Sequence, residues 1–495
     1  MKFLKVICVI AMVFAISAVA YAETQSVKIS GDIAARAFAR DNYDLISDHN
    51  DQTVPPNGGS SSDWSTFLQS TVEIQIDADL TDNVSGVIRL LNQRVWSSTN
   101  YTTTGAREAV ALNAARDGNI ARGAAGPGTA DAYSVIMDLA YIELKEFLYS
   151  PLTLRIGRQD LWFGKGFIIG NSLQDPTGAL YAPEYTAVNS FDAIRATLDY
   201  DPWTIDAVYA KISENFLSSD DDENLVGVNV GYIFDDYNAE AEGYWWLRMD
   251  RNPGGIANVW PQMAGRYGNN SNDINTWGLR GSFDPIEDWT VALEGALQHG
   301  DFMGFGAQDD HRARLAFAID AMVECRIFQD DYAWKPVMTF EYIFYSGEEN
   351  IGNRTARTNG TYTGWDPMYR GKFDTAIREW QNVFYPTAQY STPASTNEHQ
   401  VLFGASVEPT DSVTIDGKLG FFWLDKSAST NTAIVNEFRN KYVGTEVDLN
   451  VTWDYTEDVS FGLLSAFFFP GSHFSEGSGF KQPATDLVAT AKLSF

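Results

Sequence analysis

The stretch PLTLRIGRQDLWFGKGFIIGN, from Pro151 to Asn171, decides the fold because its periodicity changes halfway along. In its first half apolar side chains alternate with polar or small ones, Leu152, Leu154 and Ile156 against Thr153, Arg155 and Gly157. A period of two residues is that of a β-strand. From Asp160 the alternation gives way to an aromatic run interrupted by glycines, which is typical of a loop. The sequence therefore predicts a strand that ends near Gln159 and runs into a loop.

Segments of roughly ten residues with the same alternation recur along the chain, which is the sequence signature of a transmembrane barrel strand. We predict eighteen strands, an even number. They centre on 26–40, 66–80, 84–96, 133–146, 152–160, 191–200, 203–212, 224–234, 237–249, 275–284, 288–299, 312–323, 335–346, 400–408, 412–424, 443–454, 458–469 and 485–495.

The connections between these segments alternate in length. Short ones carry turn residues, as in YDPW at Tyr200 to Trp203 and EPTD at Glu408 to Asp411. The long polar ones are 41–65, 97–132, 161–190, 250–274 and 347–399. This rhythm predicts an all-β fold, a transmembrane antiparallel β-barrel with short periplasmic turns and long extracellular loops.

The amino-terminal segment predicts export. Lys2 and Lys5 precede an apolar run that ends at Ala20, and Ala20-Tyr21-Ala22 offers small residues for cleavage before Glu23. The alternative, a membrane anchor, needs roughly 18 to 20 apolar residues, more than this run contains. We expect residues 1–22 to be a cleaved signal peptide and 23–495 to form one barrel domain in the outer membrane of a Gram-negative bacterium.

Composition and charge restrict the possible function. The formal net charge is −30, and removal of Lys2 and Lys5 with the signal makes the remainder more acidic, so a general nucleic-acid binder is excluded. Cys8 lies in the predicted signal, which leaves Cys325 without an internal disulfide partner. Aromatic residues make up 14% of the chain. Because no later segment is apolar for long enough to span as a helix, a membrane protein of this composition would be a barrel.

The final segment, DLVATAKLSF, alternates like a strand and ends in Phe495. It resembles the terminal strand of bacterial outer-membrane proteins, which ends in phenylalanine and is recognised by the barrel-assembly machinery. A chance aromatic at the end of an ordinary strand is the alternative. Aromatic residues near strand ends predict the girdles that contact lipid and lipopolysaccharide headgroups, among them Trp96, Tyr200, Trp203, Trp289 and Trp453.

We find no motif for catalysis, and we predict neither an enzyme nor a cofactor. The five histidines lack the helical spacing of a zinc protease, and there is no nucleophile elbow or phosphate loop. The acidic run Asp220, Asp221, Asp222 and Glu223 is a weak calcium candidate, because it lacks the alternation of a calcium loop. A solvated charge run is the simpler interpretation.

Strand parity places charged side chains on the lumen face, where they avoid lipid. The basic ones are Arg36, Arg89, Arg155, Arg195, Arg248, Arg280 and Arg314. The acidic ones are Glu73, Asp77, Asp206, Glu240, Glu242, Glu294, Asp320, Glu341, Asp416, Glu446 and Asp448. They would form either cross-strand ion pairs that stiffen the wall or a charged constriction that selects solutes. One residue can do both.

Several motifs resemble the alginate-export family of outer-membrane porins. They are GRQ at Gly157 to Gln159, the WFGKGFIIGN run, SFDAIRATL at Ser190 to Leu198, and WTIDAVYAKI at Trp203 to Ile212. The resemblance implies an eighteen-stranded barrel that passes anionic polysaccharide or related sugars through an arginine-lined pore. It assigns Arg155, Arg158 and Arg195 to that pore. Regular parity sends Arg158 outward, so a bulge at Gly157 or a position at the membrane rim would be needed to explain it.

The leading hypothesis is a passive outer-membrane channel for hydrophilic solutes, in particular sugars or oligosaccharides. The excess of lumen acids argues against a polyuronate and predicts a cation-preferring pore. Residues 161–190 form a long loop that we expect to fold inward as a gate, with Trp162, Phe163, Lys165 and Phe167 at the constriction. The alternatives are a structural or adhesive barrel that acts through its long loops, and a soluble exported β-protein that binds carbohydrate.

Overall fold

A computed structural model describes residues 26–42, 45, 65–96, 135–171, 185, 189–214, 222–250, 272–303, 311–326, 332–348, 360–380, 396–427, 440–475 and 482–495. Within them lie eighteen strands: β1 Ser26–Asp41, β2 Ser65–Thr81, β3 Val84–Val95, β4 Ile136–Leu144, β5 Leu152–Gln159, β6 Phe191–Tyr200, β7 Trp203–Ser213, β8 Glu223–Phe234, β9 Ala239–Asp250, β10 Ile274–Ile286, β11 Trp289–Met303, β12 His311–Cys325, β13 Val337–Tyr345, β14 Glu398–Thr410, β15 Val413–Leu424, β16 Tyr442–Asp454, β17 Val459–Pro470 and β18 Ala484–Ser494. The same ranges also contain a 3₁₀ turn (Asp235–Tyr237) and a short helix, α1 (Ser472–Ser475). No helix in the ranges just given is long and apolar enough to cross a membrane.

The sheet closes on itself. Each strand pairs antiparallel with its chain neighbours, and β1 pairs with both β2 and β18. At the closing seam the backbone N–H of Gly31 donates to Phe495 O at 2.9 Å, and the Phe495 N–H donates to Gly31 O at 3.0 Å. Gly31 also leaves room for the Phe495 ring, which would lie 2.8 Å from a Cβ at that position. Closure pairs every strand on both sides, which hydrocarbon surroundings require.

The predicted barrel is confirmed. Each of the eighteen predicted segments overlaps one observed strand. The connections that follow even-numbered strands are short, and those that follow odd-numbered strands include all five predicted long loops. The chain begins β1 and ends β18 at the rim that carries the short turns.

Side chains alternate between a lipid-facing and a lumen-facing side. On β10, Trp277 and Leu279 are exposed and Thr276 is buried. Four of the five aromatic residues named for the girdles are exposed, with Tyr200, Trp203 and Trp453 beside the short turns and Trp96 at the opposite rim. Trp289 is half-buried. This apolar outer band excludes the alternative of a soluble β-protein, because it would expose large apolar patches to water.

The interior of the barrel contains a second layer formed by two loops. We call residues 160–171, after β5, the loop 3 segment, and residues 360–380, between β13 and β14, the loop 7 segment. Their apolar side chains form one buried cluster with lumen-facing strand residues such as Trp246, Tyr345 and Phe422. Fully burying a large apolar side chain contributes about 1.5–3 kcal/mol, so this cluster holds both segments inside the barrel.

Gly157 gives the first prediction. Its φ of +125° suits glycine, and a Cβ there would lie 2.2 Å from the Ala140 carbonyl oxygen. We expect Gly157→Ala to destabilise the β4–β5–β6 region by at least the roughly 1–3 kcal/mol of a strained backbone residue. Heat-modifiable gel migration of the refolded barrel would show unfolding at a lower temperature.

Gly295→Ala is the matched control, because an added Cβ at this strand position meets no atom within 4 Å and φ lies outside the left-handed region. Equal unfolding temperatures for the two variants would contradict the role given to Gly157.

Candidate functional site

The two loop segments are hydrogen-bonded to each other inside the lumen. The Tyr369 N–H donates to Ile168 O at 3.1 Å, and the Gly170 N–H donates to Tyr369 O at 2.8 Å. Two residues further along loop 7, the Gly371 N–H donates to Gly166 O at 2.9 Å. These bonds satisfy backbone groups that would otherwise be buried without partners, so the segments form one unit.

Glycines bring the two segments together around the Trp162 indole. A Cβ at Gly166, where φ is +76°, would lie 2.5 Å from the indole ring. A Cβ at Gly170 or at Gly371 would lie 2.9 Å or 2.5 Å from the same ring. Gly166 and Gly170 of the WFGKGFIIGN run are therefore required for close packing around the indole, and Gly371 is required on the loop 7 side.

The other three residues of the predicted gate take different roles. Phe163 packs on Trp246, with ring centroids 4.8 Å apart, and Phe167 packs near Tyr345 at 5.7 Å. Both phenylalanines are buried, whereas Trp162 is 50% exposed. Phe163 and Phe167 therefore anchor the loop 3 segment against the inner face of the barrel wall.

Lys165 is the one cation of the loop 3 segment. Its Nζ lies 3.2 Å from the Met322 sulfur, and the described residues place no carboxylate within ion-pair distance of it. Burial, and then the charge of Lys372, lower the pKa of its ammonium. It is therefore a positive group inside the lumen that lacks an ion-pair partner among the described residues.

Loop 7 is fastened to the barrel wall by a buried carboxylate. Asp366 accepts two hydrogen bonds from Arg248, at 2.9 and 2.8 Å, and Arg314 lies 3.9 Å away. Burial alone would raise the pKa of Asp366, but Arg248 and Arg314 hold it below the ordinary value. Arg314 also donates to the Gly364 carbonyl oxygen at 2.9 Å. Two of the predicted lumen arginines thus bind loop 7.

Lys372 makes the second attachment. Its ammonium donates to Asp320 at 2.6 Å and to Glu341, both on the lumen face. Although burial lowers it, the pKa of Lys372 is raised well above the ordinary value by Asp374, Asp320 and Glu341. Lys372 therefore compensates the charge of two acids predicted to line the pore.

The third attachment uses backbone amides. Glu446 accepts from the N–H groups of Ile377 at 2.6 Å and Arg378 at 2.8 Å, and Asp448 accepts from the Ala376 N–H at 3.1 Å. These amides lie where the chain enters a helical turn at 378–380, and carboxylates stabilise such amino-terminal N–H groups. Here too the wall acids act as loop anchors.

The remaining arginines of the lumen list mostly pair with acids of neighbouring strands. Arg89 pairs with Asp138, with its Nε 2.6 Å from the carboxylate. Arg155 lies 2.5 Å from the Glu143 carboxylate, and Arg195 lies 2.7 Å from that of Asp206. Arg280 pairs with Glu240 at 2.5 Å and also with Glu242. Cross-strand ion pairs, one of the two interpretations of the list, are thus present.

Other predicted lumen residues lie apart from this network, among them Arg36, Glu73 and Glu294. Arg36 donates to the Thr71 hydroxyl at 3.2 Å and lies over the Tyr185 ring at 4.9 Å. Glu294 accepts from the Tyr244 hydroxyl at 2.7 Å. Glu73 lies on the same face of β2, half-buried, and faces Asp32 of β1 across the strand pairing.

Arg158 corrects the assignment taken from the motif. The pairing of β5 with β6 is regular through Gly157, so no bulge turns the side chain inward. Arg158 shares the outward face with Ile156 and Ile194, and its guanidinium lies 3.4 Å from Asp192 near the strand end. Its place is the membrane rim, where a guanidinium reaches polar surroundings, and it does not line the lumen.

The weak calcium candidate gains no support. Asp220 and Asp221 lie outside the described residues. Asp222 pairs with Lys211, and Glu223 accepts from the Tyr369 hydroxyl at 2.6 Å. Among the side chains that the structure describes, no group of three or more potential ligands could hold a metal.

A cavity of about 450 Å³ remains between the loop 7 segment and the strands β15 to β17. Its lining contains three carboxylates, one ammonium and three aromatic rings: Asp374, Asp416, Asp448, Lys418, Phe373, Trp380 and Tyr185. Burial, then Asp486, raises the pKa of Tyr185 to about 12, so its hydroxyl stays neutral. This mixture of aromatic and polar groups is that of a small-molecule site.

Sequence reasoning missed the part played by loop 7. It placed residues 347–399 among the long loops and gave the constriction to loop 3 alone. The segment TGWDPMYRGKFDTAIREW, 363–380, contains a signal that could have found it. Aromatic residues alternate there with charged ones, as they do in loop 3.

Comparisons with known proteins agree with this architecture. A family model described as Alginate export matches residues 65–484. OccAB4 of Acinetobacter baumannii superposes with a TM-score of 0.51 at 10% identity over 96% of this chain and 99% of its own. OpdO of Pseudomonas aeruginosa gives 0.51 at 10% identity over 95% and 98%. At such low identity these structures show the fold alone. No curated protein matches the chain.

Lys372 provides a test of the loop 7 attachment. Lys372→Gln leaves Asp320 and Glu341 without their shared cation, and breaking a buried ion pair in this way costs on the order of 3–5 kcal/mol. We expect loop 7 to loosen, so that single-channel conductance in planar bilayers rises and the zero-current potential shifts toward cation preference.

Lys335→Gln is the control, because it breaks an exposed ion pair with Glu408 next to a short turn. If Lys372→Gln kept the wild-type conductance and reversal potential while forming a heat-modifiable barrel, loop 7 would not set the constriction.

Proposed function

This chain belongs to the alginate-export family, and from that premise we propose that it is a passive outer-membrane channel for small hydrophilic solutes, saccharides in particular. Membership of the family establishes an outer-membrane barrel of a Gram-negative bacterium. The passive mode of passage and the class of solute are the steps that go beyond it.

The observation that carries the proposal is the loop unit inside the lumen. Loop 3 and loop 7 are joined by backbone hydrogen bonds and fastened to the wall through Asp366, Lys372 and Glu446. A barrel whose role was only structural or adhesive would gain little from an anchored constriction with a polar cavity beside it. A solute channel needs a narrow region lined with polar groups to select what passes.

The charges of the lumen favour a neutral, zwitterionic or cationic solute over a polyuronate. Most lumen arginines are paired with acids or with loop 7, so few guanidinium groups are available to a passing carboxylate. The cavity lining contains three carboxylates and one ammonium. Each carboxylate group of a polyuronate would meet like charges there.

Two further proposals concern export and assembly. We infer that residues 1–22 are removed on export and that the carboxyl-terminal strand, ending in Phe495, is recognised during barrel assembly. The backbone pairing of Phe495 with Gly31 at the seam supports the second, because it makes the last residue part of barrel closure.

Reconstitution tests the channel and its solute class together. In planar bilayers we expect single-channel current steps and a zero-current potential that indicates cation preference. In a liposome swelling assay we expect glucose to enter faster than glucuronate, which has a ring of similar size but carries a negative charge.

Empty liposomes and liposomes with heat-denatured protein are the controls. Absence of current steps would defeat the channel and favour a structural or adhesive barrel. A zero-current potential of the opposite sign, or faster entry of glucuronate, would defeat the proposed solute class.

A further inference from the structure

We infer that the cavity between loop 7 and β15–β17 binds one sugar residue that is neutral or carries an ammonium group, and that it disfavours a uronate. This inference rests on the proposed function and names the solute class of the same lumen.

The position of the cavity comes from the loop anchors. Asp448, on its wall, accepts the Ala376 N–H at 3.1 Å, and Lys418 donates to the Asp374 carbonyl oxygen at 2.5 Å. These two hydrogen bonds fix loop 7 to β16 and β15, and the cavity lies between the loop and these strands. The volume of about 450 Å³ lies within the roughly 300–1,000 Å³ of small-molecule sites.

Aromatic rings give the cavity an apolar part against which a sugar ring can pack. Phe373 and Trp380 are stacked, with centroids 3.9 Å apart and planes 21° from parallel, and both line the cavity. Tyr185 contributes a third ring. Trp380 and the Arg370 guanidinium, 5.1 Å from the ring centroid, cover the two faces of Phe373. The C–H groups of a pyranose would therefore pack against the ring edges that line the cavity, whereas a simple inorganic ion gains nothing from them.

The polar groups select the substituents of that sugar. Asp416 is half-buried, and among the described residues its carboxylate has only a long contact, 3.5 Å, with the Asn450 amide. Asp374 is compensated by Lys372 and Lys418, and Asp448 by a backbone N–H. Asp416 is therefore the carboxylate best placed to accept from a sugar hydroxyl or ammonium group.

A buried hydroxyl adds an independent observation. Thr375 lines the cavity and is 4% exposed, and within the described part of the chain its hydroxyl oxygen has no hydrogen-bond partner. A buried hydroxyl without a partner is costly. Because Thr375 lines the cavity, a hydroxylated ligand there would offer this hydroxyl both donors and acceptors.

The charge balance then argues against a uronate. A carboxylate on the bound ring would lie among Asp374, Asp416 and Asp448, with Lys418 as the one cation among the described residues of the lining. An amino sugar would face the reverse situation, because its ammonium group would be attracted to Asp416. The order of affinity expected is glucosamine, then glucose, then glucuronate.

The experiment measures block of the ion current by these three monosaccharides, using the full-length protein in planar bilayers at a pH at which glucosamine is protonated. Leu464→Trp fills the cavity from β17. We expect it to raise the half-blocking concentration of glucose roughly tenfold or more, which corresponds to about 1.4 kcal/mol. Leu463→Trp is the matched control, because the neighbouring side chain faces lipid and is 47% exposed.

Asp416→Asn provides a second variant that keeps the side-chain shape. It should remove the preference for glucosamine over glucose and leave glucose block largely intact, and Asp458→Asn in a short turn should change neither. Equal block by glucuronate and glucose, or a Leu464→Trp channel blocked as well as Leu463→Trp, would overturn the inference. The proposed function would survive that result if conductance and glucose-driven swelling persisted, and it would fail if they were absent.

Discussion

The structure depends on one constraint: no backbone N–H or C=O group can face hydrocarbon without a hydrogen-bond partner. The chain meets it by closing eighteen strands, with β1 paired to both β2 and β18. Closure separates a lipid side from a lumen side, and strand alternation then puts charged residues inside. A lumen lined with charges needs compensation in turn, because a buried charge without a partner is expensive. The two inner loop segments supply part of it.

Loop 7 therefore compensates lumen charges and narrows the barrel at the same time. Lys372 lies between Asp320 and Glu341, and the backbone amides at 376–378 reach Asp448 and Glu446. The carboxylate of Asp366, also on loop 7, compensates the positive charges of Arg248 and Arg314 on the wall. Apolar packing of loop 3 against loop 7 adds burial that the ion pairs alone would lack. The same contacts that compensate the lumen charges thus hold loop 7 inside the barrel.

The sequence was sufficient for the barrel because a period of two residues and the alternation of loop lengths are local properties of the chain. It predicted that Arg155 faces inward and that the run after Gln159 leaves the wall, and it separated strand from loop at the observed place. The assignment of Arg158 to the pore was wrong because it followed the family motif and not strand parity. The regular pairing of β5 with β6 agrees with parity. The insertion of loop 7 could not be derived in the same way. Its partners, such as Asp320 and Glu446, lie far away in sequence, and only closure of the barrel brings them to one side of the lumen.

A count of lumen charges is consequently a poor guide to selectivity. By parity the acids outnumber the arginines, yet most of these acids are occupied by a cross-strand arginine, by Lys372 or by an amide of loop 7. What a solute meets is the remainder. In the loop 3 segment that remainder is Lys165, and beside β15 and β16 it is Asp416. A cation in the loop 3 segment and a carboxylate in the neighbouring cavity give the lumen two local fields of opposite sign. Under the proposed function, a solute that carries both charges, or neither, would meet less opposition there than a polyanion.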